Sequence, residues 1–169
     1  MVRNMLNQDL IKRVDLRHPA TWLATWFGAG FAAKAPGTFG TLAALPFAIL
    51  IFMFFGMSGM IVAAALTLII GLWAARHFET MSGDHDNGAI VIDEAAGLFV
   101  AFVTLPILSP FYILVAFALF RFFDILKPWP ISMIDKKMPG AWGVMLDDIM
   151  AGLYAAMVIM GVSVVMGNV

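Results

Sequence analysis

Cysteine is absent from the 169-residue chain. That excludes a disulfide scaffold, thiolate nucleophiles and zinc–thiolate centres. Charge is scarce: Asp, Glu, Lys and Arg make up 12% of residues, against about a quarter in ordinary soluble domains. The net charge is only −1, so no basic field points to nucleic acid as a partner. A chain with so few polar residues cannot cover a water-soluble globule, and it is far too apolar to remain disordered. What is abundant is apolar: 62% of residues are hydrophobic and mean hydropathy is +0.93.

The charges are also unevenly placed. None falls in 35–75, 95–120 or 149–169, runs of 41, 26 and 21 residues. Roughly 20 apolar residues cross about 30 Å of hydrocarbon, so these runs are expected to be bilayer segments. The first is too long for one crossing. Gly56, Ser58 and Gly59 near its middle suit a turn between helices 41–55 and 60–75. The middle run, with Pro106, Ser109 and Pro110 at its centre, is either one kinked span or a short hairpin of 97–105 and 111–123. The hairpin leaves all ten Lys and Arg on one side, as the positive-inside rule favours, and that side is then cytoplasmic. The last run is one span, 149–166.

Residues 20–33 are apolar but short, with Trp22 and Trp26 one helical turn apart. They suit an interfacial or re-entrant helix, or a packing helix of the bundle. The stretch before them mixes both charge signs and is not expected to be a signal peptide. The fold expected is therefore all-α: one domain, 1–169, with a polar segment at 1–19. It is a polytopic membrane bundle of about five hydrophobic helices, two hairpins plus a final span, behind an N-terminal interfacial or re-entrant helix.

Four polar stretches are not explained by apolar packing. Pro36-Gly37-Thr38-Phe39-Gly40-Thr41 could present backbone N–H groups to a phosphate at a helix start, although Thr41 as a plain N-cap explains it as well. His85-Asp86 lies upstream of the adjacent pair Asp93-Glu94. Arg121, Asp124 and Lys127 precede Pro128-Trp129-Pro130, and Asp147-Asp148 is a second adjacent acidic pair. Helix capping explains one carboxylate of each pair. The second is costly at a membrane boundary unless it is paired or binds a cation, and hard cations such as Mg²⁺ take oxygen ligands of this kind. Carboxylates, a divalent cation and basic groups on one membrane face imply phosphoryl chemistry on an anionic lipid headgroup. Residue types alone do not separate a phosphatase from a phospholipid transferase.

Taken in order, Pro36-Gly37-Thr38-Phe39-Gly40-Thr41, His85-Asp86, Ile90-Val91, Asp93-Glu94, Arg121, Asp124, Lys127-Pro128-Trp129-Pro130-Ile131, Gly143 and Asp147-Asp148 resemble the phosphatidylglycerophosphatase A family of bacterial membrane enzymes. The likeness runs from about Trp22 to Gly152. It implies Mg²⁺-dependent hydrolysis of phosphatidylglycerophosphate to phosphatidylglycerol and phosphate, in phospholipid biosynthesis at the bacterial inner membrane. On that footing Asp93, Glu94, Asp147 and Asp148 are expected to hold one or two Mg²⁺ that polarise the phosphoryl group and activate water. His85 or Asp86 is the expected acid or base. Arg121 and Lys127 would offset phosphoryl charge, with Asp124 orienting Arg121 or completing the metal shell. Gly37, Thr38 and Gly40 would contribute backbone donors. No Asp-x-Asp-x-Thr/Val sequence is present, which favours water over an aspartyl nucleophile.

Three other readings compete. A CDP-alcohol phosphotransferase lacks its Asp-Gly-x-x-Ala-Arg spacing here. A small cation or proton transporter would spread carboxylates through the bilayer depth rather than cluster them at helix ends. A structural membrane subunit has no use for adjacent acidic pairs.

Overall fold

The computed structural model describes residues 10–84 and 87–167. Among them the chain is helical and contains no strand. The elements are α1 (Pro19–Ala24), a single 3₁₀ turn (Ala29–Phe31), α2 (Pro36–Ser82), α3 (Ile92–Phe102), α4 (Pro110–Leu126), α5 (Ile131–Lys137) and α6 (Ala141–Val165).

The long helix α2 is two arms. Gly56 breaks it with φ 57 and ψ −149, a conformation that glycine adopts without a Cβ clash. The chain folds back there. Gly40 and Gly71, about equally far on either side of Gly56, meet the neighbouring residues Val91 and Ile92. The second hairpin is also present. Ser109 caps α4 by accepting from the Tyr112 N–H, and Gly97 of α3 lies against the Phe120 ring of α4. Residues 95–123 therefore form two packed helices with a turn between them rather than one kinked helix.

The core is unusual in what it buries. Inside α2 most buried side chains are small, among them Ala44, Ala48, Ala64, Ala74 and Ala75, with Met60 and Phe78 the large exceptions, while Phe54, Phe55, Ile69 and other large apolar residues point outward. Small residues let helices approach closely. An apolar exterior of this extent fits a membrane environment. Two helices, α2 and α6, are long and apolar enough to cross a bilayer.

α3 is the centre of the bundle. Every residue in it is buried except Val100. It crosses α6 backbone to backbone, because a Cβ on Gly152 would overlap the Gly97 carbonyl. Further along, Thr104 donates to the Ala156 carbonyl at 2.9 Å, so the two helices run side by side away from the same end. Asp93 is one turn before Gly97, and Asp148 is one turn before Gly152. The glycine crossing therefore brings the two acidic pairs together.

Several helix starts differ from expectation. α2 begins at Pro36 rather than Thr41: Pro at the first position has a helical φ and no N–H to satisfy, so the glycine-rich stretch is a first helical turn rather than a loop. α3 begins at Ile92, which puts Asp93 and Glu94 inside the helix instead of before it. α6 begins at Ala141, directly after the positive φ of Gly140, so Asp147 and Asp148 are in its second turn and cap nothing. The expected helix over 20–33 is only α1 plus the 3₁₀ turn, because Trp26 and Phe27 adopt positive φ. Trp26 turns inward, edge-on to Phe47 and Phe99, and Trp22 stays exposed.

Candidate active site

The charged stretches converge at one end of the bundle, around a cavity of about 530 Å³. The opposite end holds the Gly56 reversal, the turn at 103–109 and the end of α6, where the Tyr112 hydroxyl meets Met166 Sδ.

Asp93 and Glu94 enter the cavity from α3, and Asp147 and Asp148 from α6. Both pairs are locked in the same way: the first carboxylate accepts from the next residue's backbone N–H, at 3.0 Å in each case. Oxygens of Asp93, Glu94 and Asp148 all lie within 4.8 Å of one another. Glu94 Oε2 is buried with no hydrogen-bond partner. An orphaned carboxylate oxygen beside two more carboxylates is a donor set that suits a hard divalent cation. Asp147, expected in the same set, has its Oδ2 engaged by Lys127.

Arg121 reaches in from α4. Its Nη1 is 2.7 Å from Asp124 Oδ2 and 3.6 Å from Glu94 Oε1, and it donates to Thr41 Oγ1 at 3.4 Å. Thr41 in turn donates to the Gly37 carbonyl at 2.9 Å. Asp124 therefore orients Arg121, as its spacing on the helix implied. Thr41, expected at most to cap a helix, holds Arg121 instead.

Ala35, Pro36 and Gly37 bring the start of α2 to the cavity wall. Its first N–H groups have no partner within the helix, which favours an anion there. Gly37 is where Glu94 and Arg121 approach: a Cβ there would overlap Glu94 Oε1 and lie 3.1 Å from Arg121 Nη1. Gly40 is not at the site; it packs on the Val91 side chain. Thr38 does not line the cavity either. His85 and Asp86 lie outside the described residues.

Lys127 ends α4 in the left-handed region, φ 43, as does Ala35 at the start of α2, φ 48. Two non-glycine residues in that conformation on one cavity mark local strain at the site. Lys127 Nζ donates to both Asp147 and Asp135. Its burial works against the charge, but these two carboxylates outweigh it and hold the ammonium pKa above its ordinary value. Asp135 was missed by sequence reasoning. Between Ile134 and Lys136 it looks like one charge of a solvated face, and only the turn at 128–130 brings it back to Lys127.

Six carboxylates and two basic side chains line the cavity, a formally negative balance that protons or bound cations would offset for an anionic ligand. A helical bundle with an apolar exterior, two helices long and apolar enough to cross a bilayer and a carboxylate-, arginine- and lysine-lined cavity at one end is the class of protein that fold and site define. The family model described as Phosphatidylglycerophosphatase A matches residues 22–163, and the chain belongs to that family. It is 38% identical over 158 residues to Phosphatidylglycerophosphatase A of Haemophilus influenzae, covering 94% of this chain and 97% of that one. It is 36% identical over 152 residues to Phosphatidylglycerophosphatase A of Escherichia coli strain K12, covering 89% and 87%. No solved structure matches the chain.

Proposed function

We propose that the chain is a Mg²⁺-dependent phosphatase. It removes the terminal phosphate of phosphatidylglycerophosphate, yielding phosphatidylglycerol and inorganic phosphate in phospholipid biosynthesis. Its place is the bacterial cytoplasmic membrane, crossed several times, with the site on the cytoplasmic face. The observation that carries this reading is the buried trio Asp93, Glu94 and Asp148 beside Arg121 and the start of α2, in a chain of this family.

The multi-pass topology has physical support. The arms of α2 reach about 30 and 39 Å and α6 about 37 Å at 1.5 Å per residue, each enough for the hydrocarbon core. α3 is only about 16 Å long, but it is enclosed by its neighbours and needs no lipid contact. Exposed Trp22, Trp73, Trp129 and Trp142 would suit the membrane–water interface.

Asp93, Glu94 and Asp148 would hold the cation, which when bound supplies Lewis-acid stabilisation of phosphoryl oxygens and acidifies water. The chain's own groups do the rest. Arg121, held by Asp124 and Thr41, offsets charge on the transferring phosphoryl group. The free N–H groups at the start of α2 donate to a phosphoryl oxygen. Water attacks phosphorus, the phosphorus–oxygen ester bond breaks, and the glycerol oxygen leaves with a proton. His85 or Asp86 serves as the acid or base. The acyl chains stay in the lipid around the helices.

The test is phosphate release by purified protein from phosphatidylglycerophosphate in mixed micelles. Release with Mg²⁺ that stops on chelation is expected. No release from any phospholipid monoester, with or without Mg²⁺, would overturn the reading and favour a transporter.

A further inference from the structure

We propose that Asp135 is a substrate-displaced latch on Lys127, standing where a phosphate oxygen of the substrate later binds. The inference rests on the phosphatase reading for its substrate, but its evidence is separate.

Lys127 Nζ is shared by two carboxylates of different character. Asp147 comes from α6 and its side chain is 7% exposed. Asp135 comes from the short helix α5 and is 34% exposed, close to the 29% of Lys127 itself. An ammonium has three protons, so one remains for a ligand. A third anion beside two carboxylates is repelled, however, and something must give way. The buried Asp147 cannot leave Lys127 without stranding a charge away from water. Asp135 can turn outward and recover its hydration. The exposed carboxylate is therefore the exchangeable one, and the incoming phosphate takes its place on Lys127.

The arrangement also separates tasks within the cavity. Lys127 keeps Asp147 engaged, which leaves Asp93, Glu94 and Asp148 as the trio free for a cation. The latch satisfies Lys127 until an anion arrives, so the empty site does not draw Lys127 elsewhere. Asp135 is in this sense a positioning residue: it acts on the substrate through Lys127 and through competition.

The test is kinetic. Asp135→Asn removes the competing charge with little change of shape, and KM for the lipid phosphate should fall about two- to tenfold, the range for a half-exposed charged hydrogen bond, with kcat little changed. Asp135→Glu should restore the wild-type KM. In a Lys127→Met background, Asp135→Asn should have no effect on KM. Inorganic phosphate titrated calorimetrically into wild type and Asp135→Asn, both with Mg²⁺, gives a readout without turnover and should bind the variant more tightly. An unchanged or raised KM in Asp135→Asn, equal phosphate affinity in the two proteins, or the same decrease in KM without Lys127 would overturn the latch. If neither protein cleaves any lipid phosphate, the phosphatase reading fails, and tighter binding of inorganic phosphate by the variant would still uphold the latch.

Discussion

Gly37→Ala is the sharpest perturbation available at the site. Gly37 is in the first turn of α2 without a positive φ, so alanine is compatible with the backbone. On propensity alone the change should help, since Gly costs a helix interior about 0.5–1 kcal/mol relative to Ala. The structure says otherwise. The added Cβ would overlap Glu94 Oε1 and lie 3.1 and 3.2 Å from Arg121 Nη1 and Nη2. Either Glu94 and Arg121 shift by about an ångström, or α2 moves back from the cavity. Overpacking of this kind costs about 1–3 kcal/mol, so the net change in stability is a loss of roughly 0–2.5 kcal/mol. A misplacement of about 1 Å costs on the order of a hundredfold in rate. The assay pairs phosphate release from phosphatidylglycerophosphate with thermal unfolding in detergent. A folded protein with activity down about a hundredfold is expected. A variant that is both more stable and fully active would refute the close approach of Gly37, Glu94 and Arg121.

Other substitutions probe the parts separately. Asp93→Asn and Asp148→Asn should each reduce phosphate release to background in protein that still folds by circular dichroism; full activity in either removes that residue from the site. Gly152→Ala should lower stability by about 1–3 kcal/mol and reduce activity as well, because its Cβ meets the Gly97 carbonyl and pushes α3 from α6, as thermal unfolding and turnover together would register. Ala35→Gly should raise the unfolding temperature by relieving the left-handed backbone, a net gain of about 0.5–1 kcal/mol.

The bundle was legible because charge and apolarity are segregated along the chain. The charge-free runs became helices, Gly56 became the reversal, and Pro106, Ser109 and Pro110 marked the second turn. The site was legible as a set of residue types: Asp93, Glu94, Arg121, Asp124, Lys127, Asp147 and Asp148 all line the cavity. What the sequence hid is set by packing. Nothing local says that Gly97 and Gly152 cross, which is what joins the two acidic pairs. Gly40 looks like part of a phosphate loop, yet it is small in order to fit Val91. Thr41 and Asp135 touch Arg121 and Lys127 across 80 and 8 positions of chain, distances at which periodicity is silent. Trp26 follows Trp22 by one helical turn in spacing, but its positive φ ends the helix and sends the ring inward.

The central claim is that Asp93, Glu94 and Asp148 form a divalent cation site at the polar end of the bundle. It is tested most directly by Mn²⁺ binding to purified protein, followed by electron paramagnetic resonance with Mg²⁺ as competitor. Wild type should bind Mn²⁺ and release it to Mg²⁺, and Asp148→Asn should weaken binding at least tenfold while leaving the fold intact. Absence of binding in wild type, or undiminished affinity in Asp148→Asn, would contradict the account.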